Sequence, residues 1–261
     1  MTLEQPLPAA LSPSRMADFQ SCPRRYQYGA VERRRQPATY ATTKGRAVHA
    51  VLEALFALEG PERTLAAARA RLEEATAGVL SEEVRADIGC DDALEARLRG
   101  EVAAALDTYF TMEDPSAVAT EGVELRLSAE VDGAPLLGIL DRLDRVGDDL
   151  TIVDYKTGRV PDRRYDSQTF ANAELYAALC EASLGERPRS IRLLYVGAGR
   201  ELERPVTEAV VRARREAAAA VWRRVRGYYD AGEFPATPSV RACRFCAFRE
   251  PCRASGVPVP V

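Results

Sequence analysis

The sequence predicts strands flanked by helices, an α/β or α+β core, and three observations carry that expectation. Apolar residues recur at helical spacing in the first half of the chain, as in Val48, Val51, Leu52, Leu55 and Leu58. From residue 123 the period drops to two: Val123, Leu125, Leu127, Ala129 and Val131 alternate with polar residues. After a third strand, helix, strand and helix follow in turn.

Each element has a local reason. Ser12-Pro13 reads as an N-cap with proline at the first helical position, opening a short helix to about Gln20 that Cys22-Pro23 ends. Residues 24–44 read as basic and irregular, with Tyr26, Tyr28 and Tyr40 among the arginines. Helices are expected over residues 45–58, 64–79 and 91–112, the last two rich in Ala, Leu, Glu and Arg. A strand over 123–131 turns at Asp132-Gly133 into a second over 135–145, and Gly147-Asp148-Asp149 leads to a third over 150–156. A loop follows over 158–166, then a helix over 168–184 closed by Gly185 and an apolar strand over 191–196. Thr207 caps a long helix to about Asp230, and residues 232–261 form an irregular tail.

The chain is read as one domain over 1–261: an N-terminal basic and cysteine segment (12–44), a helical region (45–120), a sheet core (121–200), a long helix (206–231) and a cysteine-rich tail (232–261). It is 46% hydrophobic and 29% charged, enough to bury a core. No apolar run reaches membrane-spanning length, and the first fifteen residues lack a basic start and apolar stretch. A cytoplasmic location away from membranes is the expectation. The net charge of −3 is unevenly spread. Residues 15–58 carry eight Lys/Arg against three acids, and residues 212–253 carry ten Arg against four. Residues 59–101 hold eleven acids against six Arg. From charge alone these are solvated helix faces, although basic chain ends that meet suit a phosphate backbone.

The chemistry concentrates at Asp154-Tyr155-Lys156-Thr157-Gly158, directly after the apolar run Leu150-Thr151-Ile152-Val153. In a strand Asp154 and Lys156 share a face, and Tyr155 points away. A metal-binding carboxylate beside a fixed cation suits phosphodiester hydrolysis. Asp141 lies thirteen residues earlier, embedded in an apolar strand by Gly138-Ile139-Leu140. Two carboxylates held close call for a hard divalent cation, Mg²⁺ or Mn²⁺. Asp144 and Asp148 read as ordinary surface charge. Glu121 and Glu124 open the first strand, and Glu124, facing opposite to Val123 and Leu125, reads equally as a further acid or a solvent-facing residue. His49, the one histidine, sits at the edge of a helical stripe, where spacing alone argues against catalysis.

Cys243-x2-Cys246-x5-Cys252 has a chelating spacing, and Cys22, also next to proline, is the best fourth ligand. Such a site takes a [4Fe–4S] cluster or Zn²⁺. It would tie the two ends of the chain together. Cys90 and Cys180 read as inert core residues.

Taken in order, Gly45-x3-His49, Gly138-x2-Asp141-Arg142, Asp154-Tyr155-Lys156-Thr157-Gly158, Tyr176 and the four cysteines form a set that resembles the RecB-like branch of the PD-(D/E)XK nucleases, with its AddB-type iron–sulfur domains and CRISPR-associated members. The likeness covers residues 11–255. It implies a restriction-endonuclease-like α/β fold, a mixed sheet flanked by helices with a helical insertion. It also implies a divalent-metal-dependent deoxyribonuclease, exonuclease-like on single strands or duplex ends, in DNA repair or CRISPR-type processing. Asp141 and Asp154 would bind the metal with His49 and the Tyr155 carbonyl, and Lys156 would act on the attacking water. The cysteines would hold [4Fe–4S], with Zn²⁺ the alternative. Arg24, Arg25, Tyr26, Lys44 and Arg46 are the candidate nucleic-acid contacts, with Tyr26 and Tyr28 stacking on bases. The family's Q-x3-Y glutamine is replaced by Asn172, and Gln168 is too far from Tyr176 to substitute. No GxxxxGK[ST] loop is present, so unwinding would need a helicase or other repair partner. The competing reading is a non-catalytic nucleic-acid-binding module with a structural metal cluster.

Overall fold

The computed structural model describes residues 5–162 and 169–260. Five strands form one mixed sheet in chain order: β1 (Thr120–Val131), β2 (Ala134–Val146), β3 (Asp149–Lys156), β4 (Ser190–Tyr195) and β5 (Arg200–Pro205). β1, β2 and β3 are an antiparallel meander, β3 and β4 are parallel, and β4 and β5 are antiparallel. The Asp132-Gly133 turn is as expected, with φ of 51° and 80°, the left-handed pair of a tight hairpin. β5 was not anticipated. Its Arg200, Glu201, Glu203 and Arg204 hide any apolar alternation, as suits an edge strand protected from further pairing.

Helices cover both faces, which makes the class α/β with a restriction-endonuclease-like arrangement. The insertion before the sheet comprises α1 (Pro13–Ser21), α2 (Pro23–Tyr26), α3 (Tyr40–Phe56), α4 (Leu65–Ala70), α5 (Leu72–Val79), α6 (Glu82–Ile88) and α7 (Asp92–Met112). After β3 come α8 (Ala171–Leu184), α9 (Glu208–Asp230), and two short tail helices, α10 (Val240–Cys243) and α11 (Arg249–Ala254). Residues 24–31, expected irregular, continue α2 as a helical turn over Gln27–Val31. α3 starts earlier than expected because Thr39 and Thr42 form a capping box. Gln168 and the expected start of its helix lie outside the described residues.

Two apolar clusters sandwich the sheet. One packs α1, α8 and α9 on Leu127, Leu136, Leu140, Ile152 and Leu193. The other packs α3 and α7, through Val48, Leu52, Val102 and Leu106, on Val153, Tyr155 and Leu194. Consecutive β3 residues Ile152 and Val153 go to opposite clusters, as the pleat requires. Each fully buried leucine contributes about 1.5–3 kcal/mol, so both clusters are strong anchors for α3 and α8.

Besides a register shift between Thr120 and Gly122, the pleat slips near the middle of the β1–β2 pair. Leu125 and Leu127 face the first cluster, yet Val123 faces the second although it is also odd-numbered. Opposite it on β2, Leu140 and Leu143 share the first cluster while Arg142 faces the second. The slip falls at Glu124, whose φ is +44°, and at Asp141, which the register places across from it. A non-glycine residue in that region costs roughly 1–3 kcal/mol and tends to mark a functional site.

Candidate metal centre

The centre forms where β2 and β3 separate. Their pairing reaches Arg142↔Val153 and goes no further, while β3 continues beside β4 to Lys156↔Tyr195. The Asp141 carboxylate spans the gap: Tyr155 N–H donates to Asp141 Oδ2 at 2.8 Å. On the far side of the gap lies α3, one turn of which carries His49. His49 Nδ1 is 3.4 Å from Asp141 Oδ1, and Nε2 is 3.1 Å from the Tyr155 carbonyl. Because α3 is buried through Val48, Val51 and Leu52, the imidazole has little freedom to leave.

Among the described residues, His49, Glu124 and Asp141 are the one group of three whose ligand atoms lie within 4.8 Å of one another. The pleat slip turns Glu124 toward them, so it is not the solvent-facing strand residue that strict alternation allows. Two carboxylates and a main-chain carbonyl supply the oxygen donors that Mg²⁺ or Mn²⁺ takes, and the imidazole adds one borderline nitrogen donor. Asp154 stands next to this group with Lys156 Nζ 2.5 Å from its Oδ2. Both face the α8 side, as the two-residue spacing predicts.

The charges are unbalanced. Asp141, Asp154 and Glu124 face one ammonium and one imidazole. Burial, then the neighbouring Asp141, raises the carboxyl of Asp154, against the pull of Lys156. Glu124 is raised by burial and by Asp141 and Glu53. Burial opposes the charge on His49, but Asp141, Asp154 and the Tyr155 carbonyl outweigh it and lift the imidazole above its ordinary value. Burial likewise opposes the Lys156 charge, and Asp154 more than restores it. Lys156 is therefore held as an ammonium, an electrostatic group rather than a neutral base.

Two motif glycines allow the close approaches that build the site. A Cβ on Gly138 would lie 2.6 Å from Tyr176 Cε1, so only glycine lets the α8 ring lie against β2. Tyr176 thereby senses Asp154 and Asp141, which with burial push its phenol up. A Cβ on Gly45 would meet Thr157 Oγ1 at 3.2 Å, seating α3 against the end of β3.

Behind the site is a second charged cluster. Arg142, next to Asp141 but on the opposite face, is completely buried. It bonds Glu113 at 2.6 Å, Asp144 at 2.8 Å and the Tyr155 hydroxyl at 2.7 Å, and lies against Phe56. Asp144 is thus 3% exposed and core-paired, a correction to the reading of it as surface charge. Asp148 is exposed, as expected. Arg142 holds Tyr155 by its side chain while the Tyr155 main chain faces the centre.

Other expected residues fall elsewhere. Glu121 is exposed and paired with Arg145. Asn172 is exposed on the first turn of α8, one turn from Tyr176. Arg46 is exposed and lines the mouth of the centre with Glu53, Glu124 and Ile139. Glu53 was missed; its signal was its place one helical turn beyond His49. Lys44 pairs with Glu101, Arg25 with Asp18, and Arg24 bonds the Phe234 carbonyl. Tyr26 and Tyr28 are not available to stack on bases. Tyr26 is 0% exposed against Phe19 and Phe234, and Tyr28 packs on Phe248.

Cys22, Cys243, Cys246 and Cys252 line one small cavity and are all free thiols. No three of the four sulfurs lie within 4.8 Å of one another. A tetrahedral zinc set would need them about 3.8 Å apart, given Zn–S of about 2.3 Å. The two chain ends meet here regardless: Thr237 N–H donates to Cys22 Sγ at 3.4 Å, and Arg24 N–H to the Pro235 carbonyl at 3.2 Å. Cys180 is buried in the core, where burial pushes its thiol up to about 12. Cys90 is not a core residue; it is half-buried between α6 and α7.

Sheet, split strands and convergent acids define a nuclease-type metal centre. The family model of the PD-(D/E)XK nuclease superfamily matches residues 10–253, and the chain belongs to that superfamily. No curated protein matches the chain. None of the helices described is long and apolar enough to cross a membrane.

Proposed function

We propose that the chain is a RecB/AddB-like deoxyribonuclease that hydrolyses phosphodiester bonds in single strands or at duplex ends, exonuclease-like, in DNA repair or CRISPR-type processing. The convergence of His49, Glu124 and Asp141 beside the Asp154–Lys156 pair supports this most. His49, Glu124, Asp141, Asp154 and the Tyr155 carbonyl would hold Mg²⁺ or Mn²⁺, which lowers the pKa of water and neutralises phosphate charge. Lys156, kept cationic by Asp154, stabilises charge that builds on the phosphate oxygens. Asp141 fixes the Tyr155 main chain through its hydrogen bond, so the carbonyl stays aimed at the centre. Tyr176 packs on Gly138 beside the acids and limits water there.

The four cysteines line one cavity, which supports a shared metal group there. A [4Fe–4S] group there would tie residue 22 to residue 252 and act structurally. Anaerobic purification with iron and zinc analysis decides the metal; zinc alone in a colourless protein would refute the iron–sulfur assignment.

Cleavage of end-labelled single- and double-stranded DNA with Mg²⁺ or Mn²⁺ tests the activity. Asp154→Ala should abolish it while leaving circular dichroism and melting intact. Cutting by that variant at the wild-type rate would overturn the proposal. Salt-sensitive binding by the wild type, with no metal-dependent cleavage, would support a binding module instead.

A further inference from the structure

A groove of about 690 Å³ runs between α1, the start of α8 and the cysteine tail, on a part of the surface the metal centre does not use. Gln20, Arg25, Asn172, Arg241 and Phe245 line it. Phe245 stands out: it is 82% exposed, the most exposed of the large apolar side chains described. It lies between Cys243 and Cys246 in sequence, with the Arg244 guanidinium 5.2 Å from its ring centre. A lone exposed ring is ordinary by itself, but this one lines a groove beside Arg241.

The surroundings indicate what the ring would meet. Residues 234–249 contain Arg241, Arg244 and Arg249 and no acid. The rest of the lining mixes Gln20, Ser21, Asn172 and Ser239 with the small side chains of Ala17, Ala171 and Ala242, so Phe245 is its one large apolar group and Arg25 and Arg241 its charges. Cationic groups along a groove with one aromatic platform are what a single strand of nucleic acid requires: charge for the backbone, a flat face for a base. A duplex keeps its base faces covered, except at its ends. One wall of the groove is tied to the reaction centre through α8. Asn172 lies one helical turn, about 5.4 Å, before Tyr176, and Tyr176 rests on Gly138, three residues from Asp141.

We propose that this groove is the path by which a single strand reaches the metal centre, with Phe245 stacking on a base and Arg241 and Arg244 holding the backbone beside it. The inference rests on the nuclease reading above. It assigns to the cysteine tail a direct contact with substrate, and it moves base stacking from Tyr26 and Tyr28 to Phe245.

The test uses the full chain purified anaerobically, with Phe245→Ala and Phe245→Trp. Binding of a labelled oligothymidylate is measured by anisotropy with Ca²⁺ in place of Mg²⁺, and cleavage kinetics with Mg²⁺. Phe245→Ala should weaken binding and raise KM roughly tenfold, the loss of about one stacked base, with kcat little changed. Phe245→Trp should restore wild-type values. Melting temperature and bound-metal content equal to wild type show that the tail is intact; the ring is exposed, so its removal opens no cavity. A wild type that neither binds nor cuts would remove the nuclease reading itself. A wild type that does both, with Phe245→Ala identical to it, would remove this inference alone. Unchanged oligonucleotide binding together with lost self-association of Phe245→Ala would instead make the ring a contact between copies of the chain.

Discussion

Two clusters of charge stand back to back on the same strands, and they differ in completeness. Asp141 and Arg142 are neighbours in sequence, as are Asp154 and Tyr155, yet each pair splits between opposite sides of the sheet. On the core side, Arg142 is matched by Glu113 and Asp144 and capped by Tyr155 and Tyr109. Arg192 also reaches Glu113, at 3.3 Å, so each carboxylate there touches a guanidinium. In the gap where β2 and β3 part, between α3 and α8, three carboxylates converge on one ammonium and one imidazole, partly open to water. Balanced charge holds the fold, and unbalanced charge leaves a place for a cation.

The widest break in this comparison comes from Arg142→Ala. It strands Asp144 in the core, leaves Glu113 with only Arg192 and the Tyr109 hydroxyl, and should cost about 3–5 kcal/mol, read as a lowered denaturant midpoint, with loss of the Tyr155 anchor. Asp154→Asn tests the other side. Cleavage should fall at least 10²–10³-fold, about the loss typical of one electrostatic contact in a reaction centre. Its stability in EDTA should not fall, because the raised Asp154 carboxyl means that its charge is unfavourable in the fold. A marked drop in the EDTA melting temperature would show that this side is structural as well.

Gly138→Ala forces a methyl to within 2.6 Å of Tyr176. We expect about 1–3 kcal/mol of destabilisation from overpacking and reduced kcat, since the ring and Asp141 must part. Wild-type melting and activity in that variant would mean that α8 is not held against β2.

The smallest effect is on acid stability and separates the two carboxylates of Arg142. Burial raises Glu113, but Arg142 and Tyr109 outweigh it and leave its pKa below the ordinary value. Its contribution is therefore complete above the unfolded pKa and is lost as pH falls through the folded one. For Asp144 burial wins, the pKa is raised, and the sign reverses: its contribution is present at low pH and lost as pH rises through the folded pKa. Melting from about pH 6 to about pH 3 should thus be less acid-sensitive in Glu113→Gln than in the wild type. Asp144→Asn should keep the full acid sensitivity or increase it.

Much of the fold was legible. Period-two alternation and the Asp132-Gly133 turn marked the meander, and Ser12-Pro13 and Thr207 marked helix starts. β5 was hidden because a charged edge strand has no apolar face to display. The start of α3 was hidden because Thr39 and Thr42 cap it from within a segment that looks like loop. In the site, Asp154 and Lys156 were readable from pleat geometry alone. Glu124 was not, because reading it required alternation to hold through residue 124, and its backbone leaves the extended region there. Tyr26 and Tyr28 misled because a basic segment suggests exposure, whereas Phe19, Phe234 and Phe248, distant in sequence, cover them.

The sequence by itself determined which residue types were available, that Asp154 and Lys156 share a face, and that an acid pair lay one hairpin apart. Those are consequences of local periodicity. Only the tertiary structure decided that β2 and β3 part at Asp141, that a strained Glu124 and a helix-borne His49 fill the gap, and that Arg142 is sealed behind it. Each depends on contacts between segments far apart in the chain, and packing of α3 and α8 on opposite faces of the sheet sets them all.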